Sequence, residues 1–206
     1  MGRVVSGGIR VPRLTCLVSD RDDLTLLTAM ADVGVDGFQV RAKKLSGRLL
    51  TALAERVVAA VRPAGATVVV NDRLDVALAA GADGVHLGAS DLAVAAARRI
   101  APGLVIGSTC RSRADVVAAA RDGADYAGIG PVFATASKDG LPDPLGPDAI
   151  APAVGVLPLV AIGGIDAGRV GEVLAAGAHG VAVIGGIWRH PDPVAAAEEI
   201  VSQIGG

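Results

Sequence analysis

The stretch Gly81-Ala82-Asp83-Gly84-Val85-His86-Leu87 carries the pattern that decides the fold. A glycine stops what precedes it, a short polar residue leads on, and an apolar run follows. The order recurs in Gly34-Val35-Asp36-Gly37, Gly123-Ala124-Asp125-Tyr126 and Gly177-Ala178-His179-Gly180. Each first glycine reads as the left-handed stop of a helix, and each apolar run as a buried strand. Working outward, further apolar runs lie between and before these copies. Strands are predicted over 14–19, 37–41, 67–71, 84–87, 105–109, 126–130, 159–162 and 180–184. Helical stretches alternate with them, including 23–32, a long one to about 62, 75–80, 113–121 and 191–204. Leu24, Leu27 and Ala31 form the apolar face of the first, and Ser46 and Ser112 read as N-caps of two others. Eight strand–helix units joined by short connectors predict an α/β fold, a (β/α)8 TIM barrel. A doubly wound open sheet is the alternative; the short chain favours the barrel.

Composition sets the outer bounds. The 206 residues fit a single domain, with 1–12 read as a loose N-terminal extension. Hydrophobic residues make up 51% and charged ones 19%, which excludes a disordered chain. Aromatic residues are only 2%, so small aliphatics and 28 glycines must do the packing. A net charge of −2 argues against nucleic acid as a partner. Cys16 and Cys110 lack metal-ligand or redox-motif spacing and are expected to be reduced, in a cytoplasmic setting. No signal-peptide core or membrane-spanning run is read, and a homo-oligomer stays open.

In such a barrel the reacting groups belong at the C-terminal ends of the strands. Gln39, Arg41 and Lys43 follow one another by twos, so one face of the second strand presents all three. Cations inside an apolar barrel are costly unless they meet anions; a salt-bridged core is the other reading. The third strand ends in Asn71-Asp72-Arg73, and Asp91 follows the fourth. Two carboxylates without a His or Cys cluster suit Mg²⁺ better than zinc, although Asp91 also reads as a helix N-cap. His86 reads as a core or hydrogen-bonded rim histidine. After the sixth strand, the loop 130–140 offers Thr135, Ser137 and Lys138 without an acid until Asp139. That donor-rich loop suits a phosphate or diphosphate, against the plain reading of a solvated loop. Gly163-Gly164 and Gly185-Gly186 close the last two strands. They read either as bare backbone for a monophosphate or as tight turns.

These pieces together resemble the thiamine-phosphate synthase and thiazole tautomerase family. The resemblance runs from Leu17-Val-Ser-Asp20 nearly to the closing helix. Its carriers are Gln39-Val-Arg41-Ala-Lys43, Val70-Asn-Asp72-Arg, Gly84-Val-His-Leu-Gly88 with Asp91, Asp125 to Phe133, Thr135-Ala-Ser-Lys138 and Ala161-Ile-Gly-Gly-Ile165. It implies a transferase joining hydroxymethylpyrimidine diphosphate to a thiazole phosphate, carboxylated or not, with pyrophosphate leaving first. Under it, Asp72 and Asp91 hold Mg²⁺, while Arg41, Lys43, Asn71 and Lys138 neutralise the leaving group. Arg41, Lys43, Lys138 and Thr109 are the expected catalytic residues. Gln39 helps form the pyrimidine-diphosphate pocket, and Val40 and Ala42 count among the substrate-binding residues; Thr135, Ala136, Ser137, Gly164, Ile184 and Gly185 match the thiazole-phosphate positions.

Some positions depart from the family pattern. Thr109 stands for a Ser, Arg111 for a His, Ala89 for a Gln, Ala42 for an acid and Gly185 for a Ser. The tautomerase branch acts through a His at the place of Arg111, and an always-charged guanidinium is a poor base. That reaction needs none of Asp72, Asp91 and Lys43. A non-catalytic barrel binding a phosphorylated ligand is the third reading.

Overall fold

The computed structural model describes residues 10–135, 140 and 142–205, and in it eight parallel strands close into a barrel in chain order. The strands are β1 Leu14–Val18, β2 Gly37–Val40, β3 Thr67–Asn71, β4 Gly84–Leu87, β5 Val105–Cys110, β6 Tyr126–Ile129, β7 Leu159–Ile162 and β8 Gly180–Val183. All eight fall where the sequence places them, with ends within one residue. Around them lie α1 Leu27–Asp32, α2 Gly47–Val61, α3 Leu74–Ala79, α4 Val94–Ile100, α5 Arg113–Asp122, α6 Ala167–Ala175, α7 Gly185–Trp188 and α8 Pro193–Gly205. None of the described helices is long and apolar enough to cross a membrane.

The helix layer corrects several expectations. The first helical stretch splits into a 3-10 turn, Leu24–Leu26, and α1. Asp23 caps that turn by accepting the Thr25 N–H, and Leu24 is half-buried rather than buried. Ser46 holds the N-cap position of α2 without a side-chain hydrogen bond, whereas the Ser112 hydroxyl accepts the Asp115 N–H. Between β6 and β7 the described residues form no α-helix, only 3-10 turns at Pro147–Ala149 and Ala151–Ala153. Pro147 and Pro152 remove the amide donors that a longer helix there would need.

Alternation along each strand separates two cores. Phe38, Val40, Ile106 and Ile129 face outward and pack beneath the helices. Leu17, Val105, Tyr126, Val160 and Ala182 fill the barrel, together with Val11 from the N-terminal side. Val11 is 3% exposed, so the chain is seated from residue 11 and not loose as far as residue 12.

The repeat builds the bottom of this barrel. Its first glycines, Gly34, Gly81, Gly123 and Gly177, all take positive φ, which a side chain rarely allows. The second glycine is steric: a Cβ on Gly84 would lie 2.4 Å from the Val105 carbonyl oxygen. Between them, each acid ties down the start of the preceding odd strand. Asp36 accepts the Arg13 and Leu14 N–H groups, Asp83 that of Val68 and Asp125 that of Ile106. His179, in the fourth copy, instead lies 2.9 Å from the Val11 carbonyl through Nε2. Unpaired strand-end amides would otherwise be orphaned donors, so these contacts hold the lower rim together.

Candidate functional site

At the opposite rim, where the strands end, a cavity of about 600 Å³ opens. Gln39, Arg41 and Lys43 all line it, as their spacing requires. Val40 and Ala42 alternate outward and are buried beneath the helices, so their side chains do not reach the cavity as expected of substrate-binding residues. Gln39 is only 5% exposed, and its amide has no hydrogen-bond partner among the described residues. None of the described buried side-chain nitrogens or oxygens is left unpaired, so this amide is open to the cavity, where a ligand can partner it. Arg41 is half-buried and likewise makes no ion pair among the described residues. Lys43 Nζ sits 2.8 Å from Asp72 Oδ2.

Asp72 takes a left-handed backbone, φ 66°, alone among the described non-glycine residues. Its N–H donates to the His86 carbonyl at 2.8 Å, so the chain turns sharply as β3 ends and carries the carboxylate into the cavity. Asp91 is not a helix cap: Ala93 holds the N-cap of α4, and Asp91 Oδ2 accepts the Gly88 N–H at 2.7 Å. Glycine at 88 permits this, since a Cβ there would stand 2.8 Å from that same oxygen. The two carboxyls are hydrogen-bond neighbours. Burial opposes ionisation of Asp72, but Lys43, Asp91 and the Arg41 charge outweigh it and hold Asp72 below the usual carboxylate range. Asp91 moves the other way, raised by burial and by Asp72 beside it. Like charges this close favour a cation between them. No group of three or more metal-binding side chains exists among the described residues, so any ion here rests on this oxygen pair.

Deeper in the cavity lies a polar relay. His86 Nδ1 is 3.0 Å from the Tyr126 hydroxyl, and Nε2 is 3.0 Å from Thr109 Oγ1. Burial holds the imidazole to a pKa of about 4 against the pull of Asp72, so the ring is neutral near pH 7. Two strand glycines make room for the relay. A Cβ on Gly107 would fall 2.1 Å from the Tyr126 ring, and one on Gly128 would fall 2.8 Å from His86.

Beyond β7 and β8, Gly163, Gly164, Ile184, Gly185 and Gly186 line the same cavity. The N–H groups of Gly164, Gly185 and Gly186 donate to no backbone carbonyl among the described residues. The glycine pairs serve packing as well as access. Cβ atoms at Gly163 and Gly164 would meet Pro131 at 2.6 Å and the Ala134 carbonyl at 2.5 Å. Thr135 lines the cavity too; Ala136, Ser137 and Lys138 lie outside the described residues.

A family model described as thiamine monophosphate synthase matches residues 13–187. The chain belongs to that family. It is similar to a thiamine-phosphate synthase of Methanoculleus marisnigri, 50% identical over 185 residues, covering 88% of this chain and 87% of that one. It is also 48% identical over 194 residues to the bifunctional ThiM/ThiE protein of Symbiobacterium thermophilum, spanning 93% of this chain but 40% of that larger protein. Among solved structures, a thiamine phosphate pyrophosphorylase from Pyrococcus furiosus superposes with a TM-score of 0.85 at 32% identity. That match covers 94% of this chain and 95% of that one.

In this member of the thiamine monophosphate synthase family, several site residues escape a reading of the sequence. Tyr126 stands in an apolar run, and only the register places it opposite Gly107 and beside His86. Arg169 and Arg189 line the cavity from the helix side. Arg169 donates to the Gly164 carbonyl at 2.6 Å and lies 4.7 Å from the centre of the Phe133 ring. Exposed arginines on helical stretches give no signal in sequence that separates them from a solvated face. Arg111 shows the converse. It does not line the cavity, and its guanidinium donates to the Gly130 and Asp143 carbonyls.

Proposed function

We propose that the chain is a thiamine-phosphate synthase, joining hydroxymethylpyrimidine diphosphate to a thiazole phosphate with release of pyrophosphate. Family membership supports it, and the observation that carries it is the meeting of Arg41, Lys43, Asp72 and Asp91 at one cavity. Asp72 and Asp91 fit a magnesium ion: both offer only hard oxygen donors, and their crowding is relieved by a cation. Bound there, the ion supplies charge neutralisation to the diphosphate oxygens.

The chain's own residues do the rest in this reading. Lys43 and Arg41 draw the diphosphate to the open rim, with Asn71 beside them and Lys138 from the loop after β6. As the pyrimidine methylene C–O bond breaks, its electron pair leaves with pyrophosphate. Preplaced cations stabilise that developing charge and are the main catalytic lever. Gln39 turns its amide to the pyrimidine, and Thr109, oriented by the neutral His86, lies at the same wall. The thiazole nitrogen then supplies the pair for the new C–N bond, so electrons balance without an outside base. Both substrates are charged phosphate esters of the cytoplasm, where the buried free thiols Cys16 and Cys110 stay reduced.

Nothing favours the tautomerase branch, because Arg111 at the position of its base is spent on loop carbonyls. The deciding experiment incubates the protein with both phosphorylated heterocycles, with Mg²⁺ or with a chelator, and follows pyrophosphate. Release only with the metal and both substrates is expected. Aromatised thiazole without metal would point to a tautomerase, and binding without turnover to a non-catalytic barrel.

A further inference from the structure

We infer that Arg189 is a specificity-determining residue of the β7–β8 side, supplying a guanidinium to the phosphate of the thiazole substrate. The position opposite it is glycine. A Cβ on Gly185 would lie 3.3 Å from Arg189 Nε, 3.4 Å from Cδ and 3.5 Å from Cζ, so the arginine lies over the bare backbone of Gly185. The Arg189 N–H donates to the Gly185 carbonyl at 3.2 Å, which fixes the start of the side chain above that residue. Trp188, next in the chain, donates Nε1–H to the Leu17 carbonyl at 2.7 Å and anchors the short helix to β1. The arginine therefore springs from a held segment and lines the cavity.

What separates Arg189 from the other cation on this side is its lack of a partner. Arg169 is committed to the Gly164 carbonyl and the Phe133 ring. The Arg189 guanidinium makes no hydrogen bond and no ion pair among the described residues. Asp166 also lines this part of the cavity, yet it pairs with neither arginine. An uncommitted fork of donors beside unbonded glycine amides suits a tetrahedral oxyanion better than an apolar ring. The diphosphate end is served by Arg41 and Lys43 on the β2 side, so Arg189 is left to the second substrate's phosphate. This inference deepens the proposed activity and rests on it for the identity of that anion.

The test compares Arg189→Ala and Arg189→Lys with the unaltered protein, both checked by thermal melting. For Arg189→Ala, the KM for the thiazole phosphate should rise about tenfold to a hundredfold, the range of a lost charge-assisted hydrogen bond. The KM for the pyrimidine diphosphate should stay within about twofold, and Arg189→Lys should recover part of the loss, as expected where charge matters alongside fork geometry. The thiazole alcohol lacking phosphate should be used equally by all three proteins. A thiazole-phosphate KM unchanged in Arg189→Ala, or both KM values rising together, would overturn the inference. Should the unaltered protein release no pyrophosphate at all, the activity is wrong, and calorimetric titration with inorganic phosphate tests Arg189 alone. Weaker phosphate binding by Arg189→Ala then supports the residue's role; equal or undetectable binding by both proteins overturns it.

Discussion

Aspartate works in opposite ways at the two ends of this barrel. On the lower rim, Asp36, Asp83 and Asp125 turn their carboxylates onto strand amides, and Asp125 adds the Arg98 guanidinium at 2.6 Å. Their oxygens are spent on the fold. On the upper rim, Asp72 and Asp91 crowd one another, with Lys43 close by and a left-handed backbone under Asp72. There the chain accepts electrostatic and backbone cost, which is tolerable where a ligand relieves it. One residue type thus distinguishes the end that holds the barrel from the end that carries the cavity.

The sharpest way to break this contrast is to remove a carboxylate on each rim. Asp72→Asn should lower kcat/KM for pyrophosphate release by about a thousandfold, the scale of a lost preorganised charge. Its melting temperature should move little, because Asp72 holds no strand together. Lys138→Ala should likewise depress turnover with the melt unchanged. Asp125→Ala should do the reverse. It strands the Ile106 N–H and leaves the half-buried Arg98 without its carboxylate, at a cost of about 3 kcal/mol in urea unfolding. At temperatures where that variant is folded, turnover should match the parent. Normal turnover by Asp72→Asn, or a crippled but stable Asp125→Ala, would remove the distinction.

How much of this could be read beforehand depends on the range of the interaction. Strands were legible because glycine stops and apolar runs are local. Gln39, Arg41 and Lys43 were legible because strand alternation alone puts them on one face. The same rule, applied to Val40 and Ala42, already turns them outward. The absence of an α-helix among the described residues after β6 was written in Pro147 and Pro152 but hidden by the regular alternation around them. Asp91 read as a cap because its distance from α4 is a matter of two residues. Tyr126, Arg169 and Arg189 were not legible at all. Their roles depend on what the closed barrel brings opposite them, such as His86, 40 residues before Tyr126.

A further test lies between the rims, at His86. Its pKa is about 4 in the folded protein, against about 6.5 for a free imidazole. Between those values the unfolded chain binds more protons, so stability rises with pH across that window. The contribution is complete above about pH 6.5 and is lost as the pH falls towards 4. His86→Asn should flatten the dependence by up to about 1.4 kcal/mol per pH unit, seen in urea midpoints taken at intervals from pH 7 to 4. Parallel curves for the two proteins would show that the ring is not buried neutral, and would leave Thr109 without a fixed partner.

The smallest effect tests the odd copy of the repeat. At the other three copies an acid accepts strand amides, but His179 faces the Val11 carbonyl, which can only accept. The imidazole must therefore donate, and the lower rim demands a donor at this copy where it demands an acceptor at the rest. His179→Ala should cost about 1 kcal/mol, the worth of one neutral hydrogen bond. His179→Asn, which keeps an N–H donor, should cost less, whereas His179→Asp, the acid of the other copies, should cost more. Urea unfolding of the three variants gives that order directly. If aspartate were as good as histidine here, the repeat would be a spacing device and not a set of matched strand caps.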